Sequence, residues 1–169
     1  PNPPPQGGRK IKEPDLKQFL DIVAVGTVCD VVPLTGVNRA FVAQGLKILA
    51  ARSNVGLRIL MDSAKADSKP SVYTCGFIIG PRINAGGRVG RSDLGVRLLT
   101  TEDEAEARAL AMELEQYNAE RKAIEAIVLE EAFAQAERLP EDSPLMIVAG
   151  RGWHAWVIGI VASRIKEKY

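Results

Sequence analysis

The chain has 169 residues, a net charge of +1, 46% apolar and 25% charged residues. This is the make-up of an ordinary soluble globular protein, large enough for one good core or for a piece of something larger, and it excludes disordered, collagen-like and disulfide-stapled classes. No apolar run is long enough to span a bilayer. Cys29 and Cys75 form neither a redox nor a metal-ligand spacing, so reduced thiols and a cytoplasmic location are expected.

The opening Pro1–Gly8 reads as a linker, and Arg164–Tyr169 stops inside a helical pattern with no cap, so both ends are expected to be cuts through a longer protein. A helix is predicted from Asp15 to Val32, with Pro14 at its entrance and Leu16, Phe19, Leu20, Val23 and Ala24 on one face. Pro33 closes it and Thr35-Gly36 turns the chain. Asn38 is expected to cap a second helix reaching Ala51, and a third covers Val55–Ala64. Lys65–Pro70 is polar and loop-like. Ser71–Ile79 is rich in β-branched and aromatic residues, which suit strand or helix, and helix is preferred.

A run of glycine and arginine follows: Gly80, Gly86, Gly87 and Gly90, interleaved with Arg82, Asn84, Arg88 and Arg91. Two readings are open. One is an irregular turn with solvated arginines. The other is a cradle that holds a polyanion against exposed backbone N–H groups, with guanidinium forks matching phosphate oxygens. The charge distribution says more than the total: Gly80–Arg97 holds four arginines against Asp93, while Glu102–Glu115 holds six acids against Arg108.

Ser92–Leu99 is predicted as a short helix. Thr101 and Glu104 form a capping box in front of a long helix that persists to Arg138, where Leu139-Pro140 stops it. Leu110, Leu114, Tyr117, Ile124 and Val128, with Arg121 in one slot of the stripe, suit a coiled coil or a spacer between two domains. Pro144–Gly150 is predicted as a short buried strand. From Trp153 a helix carries Val157, Ile158, Ile160, Val161 and Ile165, which makes an α/β beginning without a return strand.

Asp30 lies in the otherwise apolar run Gly26–Leu34. A buried carboxylate is costly unless paired, capping or metal-bound, and a helix-terminal Asp bonded to backbone donors is the plainer alternative. One carboxylate does not make a catalytic metal site, and the chain has no Asp-x-Asp and a single histidine, His154. His154 beside Trp153, at a strand-to-helix turn, reads as a partly exposed turn residue. Trp153 and Trp156 could stack on bases or pack on the neighbouring strand.

Three stretches resemble a known family in order along the chain. Leu20–Leu34, with Asn38-Arg39 and Gln44-Gly45-Leu46, is similar to the last metal-ligand motif of the DHH phosphoesterase superfamily. Gly80-Pro-Arg-Ile-Asn-Ala-Gly-Gly-Arg88 with Leu98-Leu99 resembles the following segment of its RecJ branch. Gly152-Trp-His154 with Val157–Arg164 resembles the opening of that branch's second, DHHA1-type domain.

The resemblance implies a helix-rich part of an α/β protein. Residues 1–100 would be the C-terminal part of a DHH catalytic domain, 101–139 a connecting helix, and 140–169 the truncated start of a DHHA1-type domain. It implies a single-stranded-DNA-specific 5′→3′ exonuclease of DNA repair and recombination, using two Mn²⁺ or Mg²⁺ ions. Asp30 matches the final carboxylate metal ligand and a catalytic residue, and His154 would contact DNA or the scissile phosphate. Arg82, Asn84, Arg88 and Arg91 would line the path of the DNA backbone. The partner would be single-stranded DNA, with repair or replication proteins possible and a monomeric enzyme expected. Other members of the superfamily cleave short oligonucleotides or cyclic dinucleotides, and a non-catalytic DNA-binding scaffold is a further alternative. The DHH triplet and the upstream aspartates of the family are absent from this chain, so the fragment is expected to be inactive alone. Trp156 stands where the family carries a small residue, and would crowd a nucleotide there.

Overall fold

The computed structural model describes residues 15–89, 91–140 and 143–169, without the side chains of Arg88 and Val89. Among these residues every regular element is helical. A 3-10 turn over Leu16–Phe19 leads into α1 (Leu20–Cys29). Helix α2 (Gly36–Ala51) starts after Thr35, two residues before the expected cap at Asn38, whose side chain instead donates to the Pro33 carbonyl. Helix α3 (Val55–Ser63) is capped by Asn54, whose side chain accepts from the Leu57 N–H at 2.9 Å.

The preference for helix before Gly80 holds, with a twist in its winding. Thr74–Ile79 is a π-helix that passes without a break into α4 (Gly80–Val89). The Gly/Arg run is therefore helical and not a loop. Its interior N–H groups are spent on the helix's own carbonyls, which removes the expected cradle of free backbone donors. The glycines serve packing instead. A Cβ on Gly80 would lie 2.5 Å from Cys29 Sγ of α1, and one on Gly86 would lie 3.0 Å from Leu114 Cδ2 of the long helix.

That long helix, α6 (Glu104–Ala136, 33 residues), follows the short α5 (Leu94–Thr100). The expected Thr101–Glu104 capping box is replaced. Asp103 is the N-cap and accepts from Ala105 and Glu106, while the Thr101 hydroxyl donates to the Glu106 carboxylate at 2.6 Å. Asp103 wins because its carboxylate reaches two orphan N–H groups at once.

Two cores share α6. The first joins α6, through Ala107, Leu110, Ala111 and Leu114, to Leu57 and Leu60 of α3, Ile79, and Leu94 and Leu98 of α5. The second joins Val128, Ala132 and Ala136 of α6 to Val157, Val161 and Ile165 of α7 (Ala155–Lys168). Both ridges of the second core repeat every four residues, the spacing that lets two helices interlock, and the alanines bring them close. Helix α6 thus meets one core near its start and another near its end.

Pro144–Gly150 is not a paired strand, because no second strand lies beside it among the described residues. It still alternates: Met146 and Val148 pack on the second core, while Leu145 and Ile147 are exposed. The Gln135 side chain stands in for a strand partner, donating to the Ala149 carbonyl at 3.0 Å and accepting from its N–H at 3.1 Å.

A Cβ on Gly56 would overlap the Leu98 carbonyl oxygen, a backbone atom that no rotamer change can move. Gly56→Ala is expected to destabilise the chain by about 2 kcal/mol in urea unfolding, overpacking outweighing the gain in helix propensity. Asp21 is 1% exposed, and burial pushes its carboxyl above the ordinary 3.8, against the lowering effect of the Ile22 N–H. Native Asp21 therefore holds its proton to higher pH than the unfolded chain, and this group subtracts stability as pH rises above 3.8. Asp21→Asn is expected to raise the urea midpoint at pH 7 and to leave it nearly unchanged at pH 3.

Candidate functional site

Asp30 is the C-cap of α1, and its backbone N–H returns to the Gly26 carbonyl at 3.0 Å. Its side chain is exposed, and no side-chain hydrogen bond to it occurs among the described residues. The helix-terminal half of the plain reading holds, but the carboxylate does not bond to backbone donors. A negative charge at a helix C-terminus opposes the helix dipole. The next residue, Val31, is 85% exposed with φ of 55°, a left-handed conformation that a β-branched side chain rarely adopts.

Asp30 and Asn84 line one groove of about 190 Å³, whose other walls include Cys29, Gly80 and Ile83. Asn84 also borders a second cleft of about 510 Å³ between α4 and α6. Burial pushes the neighbouring Cys75 thiol up to about 11, with Cys29 adding to the shift. Cys29 donates weakly to the Cys75 carbonyl at 3.5 Å, and both cysteines are free thiols, as expected.

The arginines divide. Arg82 is turned toward α6, where its Nε and Nη2 both meet the Glu115 carboxylate while Nη1 donates to the Ile78 carbonyl at 2.8 Å. Its side chain is only 13% exposed, so the guanidinium clamps α4 onto α6. Arg91 donates to Asp93 at 3.0 Å and is half exposed. The side chain of Arg88 lies outside the described residues. Arg58 of α3 and Arg97 of α5 pair with Glu104 and Glu106, so much of the acidic start of α6 is an ion-pairing face. Those bonds hold both carboxyls below their usual range, through Arg58 at Glu104, and through Thr101 and then Arg97 at Glu106.

His154 sits apart from Asp30, at the N-cap of α7, and lines neither cavity. Its Nε2 accepts the Trp156 indole N–H at 3.1 Å, with the rings 4.4 Å apart. That bond places the proton of the neutral imidazole on Nδ1. Trp156 thus holds His154, and both tryptophans pack on the second core, with Trp153 donating to Glu131 at 2.7 Å.

Reading the sequence missed Asn118 and Arg121 of α6. Asn118 is fully buried and the Arg121 side chain is 11% exposed. The visible signal was Arg121 standing in an apolar slot of the helix stripe.

No protein-family model matches the chain. A curated relative from Dickeya dadantii, named single-stranded-DNA-specific exonuclease RecJ, is 42% identical over 167 residues, covering 95% of this chain and 29% of the relative. The chain matches a segment of RecJ. The magnesium-bound RecJ from Thermus thermophilus superposes with a TM-score of 0.81 at 41% identity, over 92% of this chain and 24% of that one. A manganese-bound exonuclease RecJ gives 0.80 at 38%, over 94% of this chain and 40% of that one. The chain therefore spans less than a third of that curated relative. No helix among the described residues is long and apolar enough to cross a membrane.

If Arg82 is a clamp, its loss should cost more stability when Glu115 is present. Arg82→Ala and Glu115→Ala are expected to couple by about 1–3 kcal/mol in a double-mutant cycle of urea unfolding. Coupling near zero would show that the pair does no structural work.

Proposed function

We propose that this chain is the part of a RecJ-type, single-stranded-DNA-specific 5′→3′ exonuclease that links its two domains. Residues 1–100 would close the DHH catalytic α/β domain, 101–139 the connector, and 140–169 the start of the DHHA1-type α/β domain. The enzyme would act as a cytoplasmic monomer on single-stranded DNA in repair and recombination. One observation carries the reading. In a chain that matches RecJ along nearly its whole length, Asp30 is an exposed carboxylate placed against the helix dipole, on a groove it shares with Asn84. Such local disfavour without a local partner is what a ligand-binding carboxylate shows.

Solved RecJ structures hold Mn²⁺ or Mg²⁺. Asp30 is a hard oxygen donor suited to either ion. Among the described residues, however, no three His, Cys, Asp or Glu side chains converge on one point. The residues present do not fit a two-ion centre, and no reaction step is assigned to them. Of the residues expected along the DNA backbone, Asn84 of α4 keeps that role in this proposal, with the half-exposed Arg91 after the helix. Arg82 has a structural task, and His154 is assigned a contact to DNA only through its exposed ring.

The test is nucleotide release from 5′-phosphorylated single-stranded DNA with Mn²⁺. The 169-residue chain is expected to release none. The full-length protein is expected to be active, and Asp30→Asn within it to lower kcat at least about 100-fold while leaving DNA affinity in EDTA unchanged. Turnover by the isolated chain, or an undiminished Asp30→Asn enzyme, would overturn the assignment.

A further inference from the structure

Two thiols that stand 46 positions apart in sequence meet where α1 passes the π-helix. Cys29 is the last residue of α1, and its sulfur rests on the Cys75 carbonyl at 3.5 Å. Glycines permit the approach. A Cβ on Gly80 would lie 2.5 Å from Cys29 Sγ and 3.1 Å from the Cys75 carbonyl oxygen, and one on Gly76 would lie 3.3 Å from Val28 Cγ1. The two cysteines differ in access. Cys75 is fully buried, whereas Cys29 is half-buried and lines both the groove it shares with Asp30 and the cleft of about 510 Å³.

A buried cysteine is ordinarily a small apolar residue. That describes Cys75, but it leaves unexplained a second thiol set against it on the wall of two cavities. A shared metal ion would explain both, yet no third His, Cys, Asp or Glu joins them among the described residues. What the arrangement offers is the chemistry of neighbouring thiols, one that an oxidant reaches and one that it does not.

We propose that Cys29 and Cys75 are an oxidisable pair, in which Cys29 meets a hydroperoxide and Cys75 resolves the product. The peroxide transfers one oxygen to the Cys29 sulfur, giving a sulfenic acid, and its other oxygen leaves as water or an alcohol. The Cys75 sulfur then attacks the Cys29 sulfur and loses its proton, and the sulfenic oxygen departs as water. Two thiols thus give two electrons to the O–O bond, and one S–S bond forms. Neither thiol is acidified. Burial and then Asp30 raise Cys29, and burial raises Cys75 to about 11, so the pair answers sustained peroxide and not a brief pulse.

To form the bond, the Cys29 sulfur has to exchange the Cys75 carbonyl for the Cys75 sulfur. Asp30 follows, because its cap is wound into the same helical turn. Its N–H returns to the Gly26 carbonyl at 3.0 Å, while Val31 N–H meets Val28 and Val32 N–H meets Thr27, each at 3.1 Å. In a groove of about 190 Å³ that movement redirects the carboxylate. Oxidation is therefore a reversible off-switch for the exonuclease. This consequence rests on the reading of Asp30 above, whereas the bond itself does not.

The experiment treats the full-length protein with hydrogen peroxide, removes the peroxide, blocks free thiols with a maleimide and maps the peptides by mass, with and without dithiothreitol. A linked pair of peptides carrying Cys29 and Cys75 is expected, and reduction is expected to abolish it. Cys75→Ala is expected to hold Cys29 as a sulfenic acid that dimedone labels, and Cys29→Ala to leave Cys75 unmodified. Cys29 linked to another cysteine or to none would overturn the proposal, and that map needs no variant to fold. Oxidation of Cys75 in Cys29→Ala as fast as in the wild type would overturn it too.

Nucleotide release from single-stranded DNA with Mn²⁺ is followed on the same samples. Release is expected to fall at least about 10-fold in the linked wild type, to return with dithiothreitol, and to hold steady in treated Cys29→Ala. Undiminished release by the linked protein would sink the switch. A wild type that releases no nucleotide before oxidation would instead sink the exonuclease reading, while the peptide map still decides the pair.

Discussion

One continuous helix has to serve two hydrophobic cores, and the rest of the structure follows from that constraint. Helix α6 presents Leu110 and Leu114 to the first core and Val128 and Ala132 to the second. An amphipathic helix of ordinary length would stop where its core stops. Here it continues through a polar interval holding Asn118, Arg121 and Glu125 before meeting apolar neighbours again. The acidic first turns are held to α3 and α5 by Arg58 and Arg97, and Arg82 ties α4 further along. Exposed ion pairs contribute little each. The Arg82 pair is the least exposed of these three, and it fixes where α4 lies along the helix.

Close approach is the second requirement, and glycine meets it. Gly45 faces the Leu20 carbonyl, Gly56 the Leu98 carbonyl and Gly80 the Cys29 sulfur, each at a distance that leaves no room for a methyl group. Gly45 and Gly56 fall inside predicted helices, whereas Gly80 looks like a loop former when read in sequence. Glycine count and arginine spacing made Gly80–Arg91 resemble a phosphate loop, yet a helix can use glycine for contact at a cost of ~1 kcal/mol in propensity. Local composition does not tell the two uses apart. Only the neighbour that fills the missing side chain's space does so.

What was legible in the sequence follows the range of each signal. Periodicity and caps are local, so α2, α3, α5 and α6 emerge within a few residues of their ends. The capping residue of α6 was misread because Thr101 and Asp103 both offer side-chain oxygens and only geometry ranks them. Pairing is not local. Pro144–Gly150 carries a strand's alternation, but a strand needs a neighbour, and among the described residues its backbone meets a glutamine side chain instead. The site divides along the same line. Asp30 stood out as a lone carboxylate in an apolar run, and it shares a groove with Asn84. The Glu115 partner of Arg82 lies 33 positions away and could not be read from the arginine itself.

The polar interval of α6 ties these observations together. A core position given to Arg121 sacrifices apolar burial, and the fully buried Asn118 beside it adds desolvation. Substituting two leucines would satisfy the stripe and remove two unmet donors at once. A buried polar group left half satisfied is worse for stability than an apolar one. Stability therefore does not explain the pair. Position does: the two residues stand where the cores part, on a cleft bordered by α4 and α7, so whatever meets their donors touches both halves of the fold.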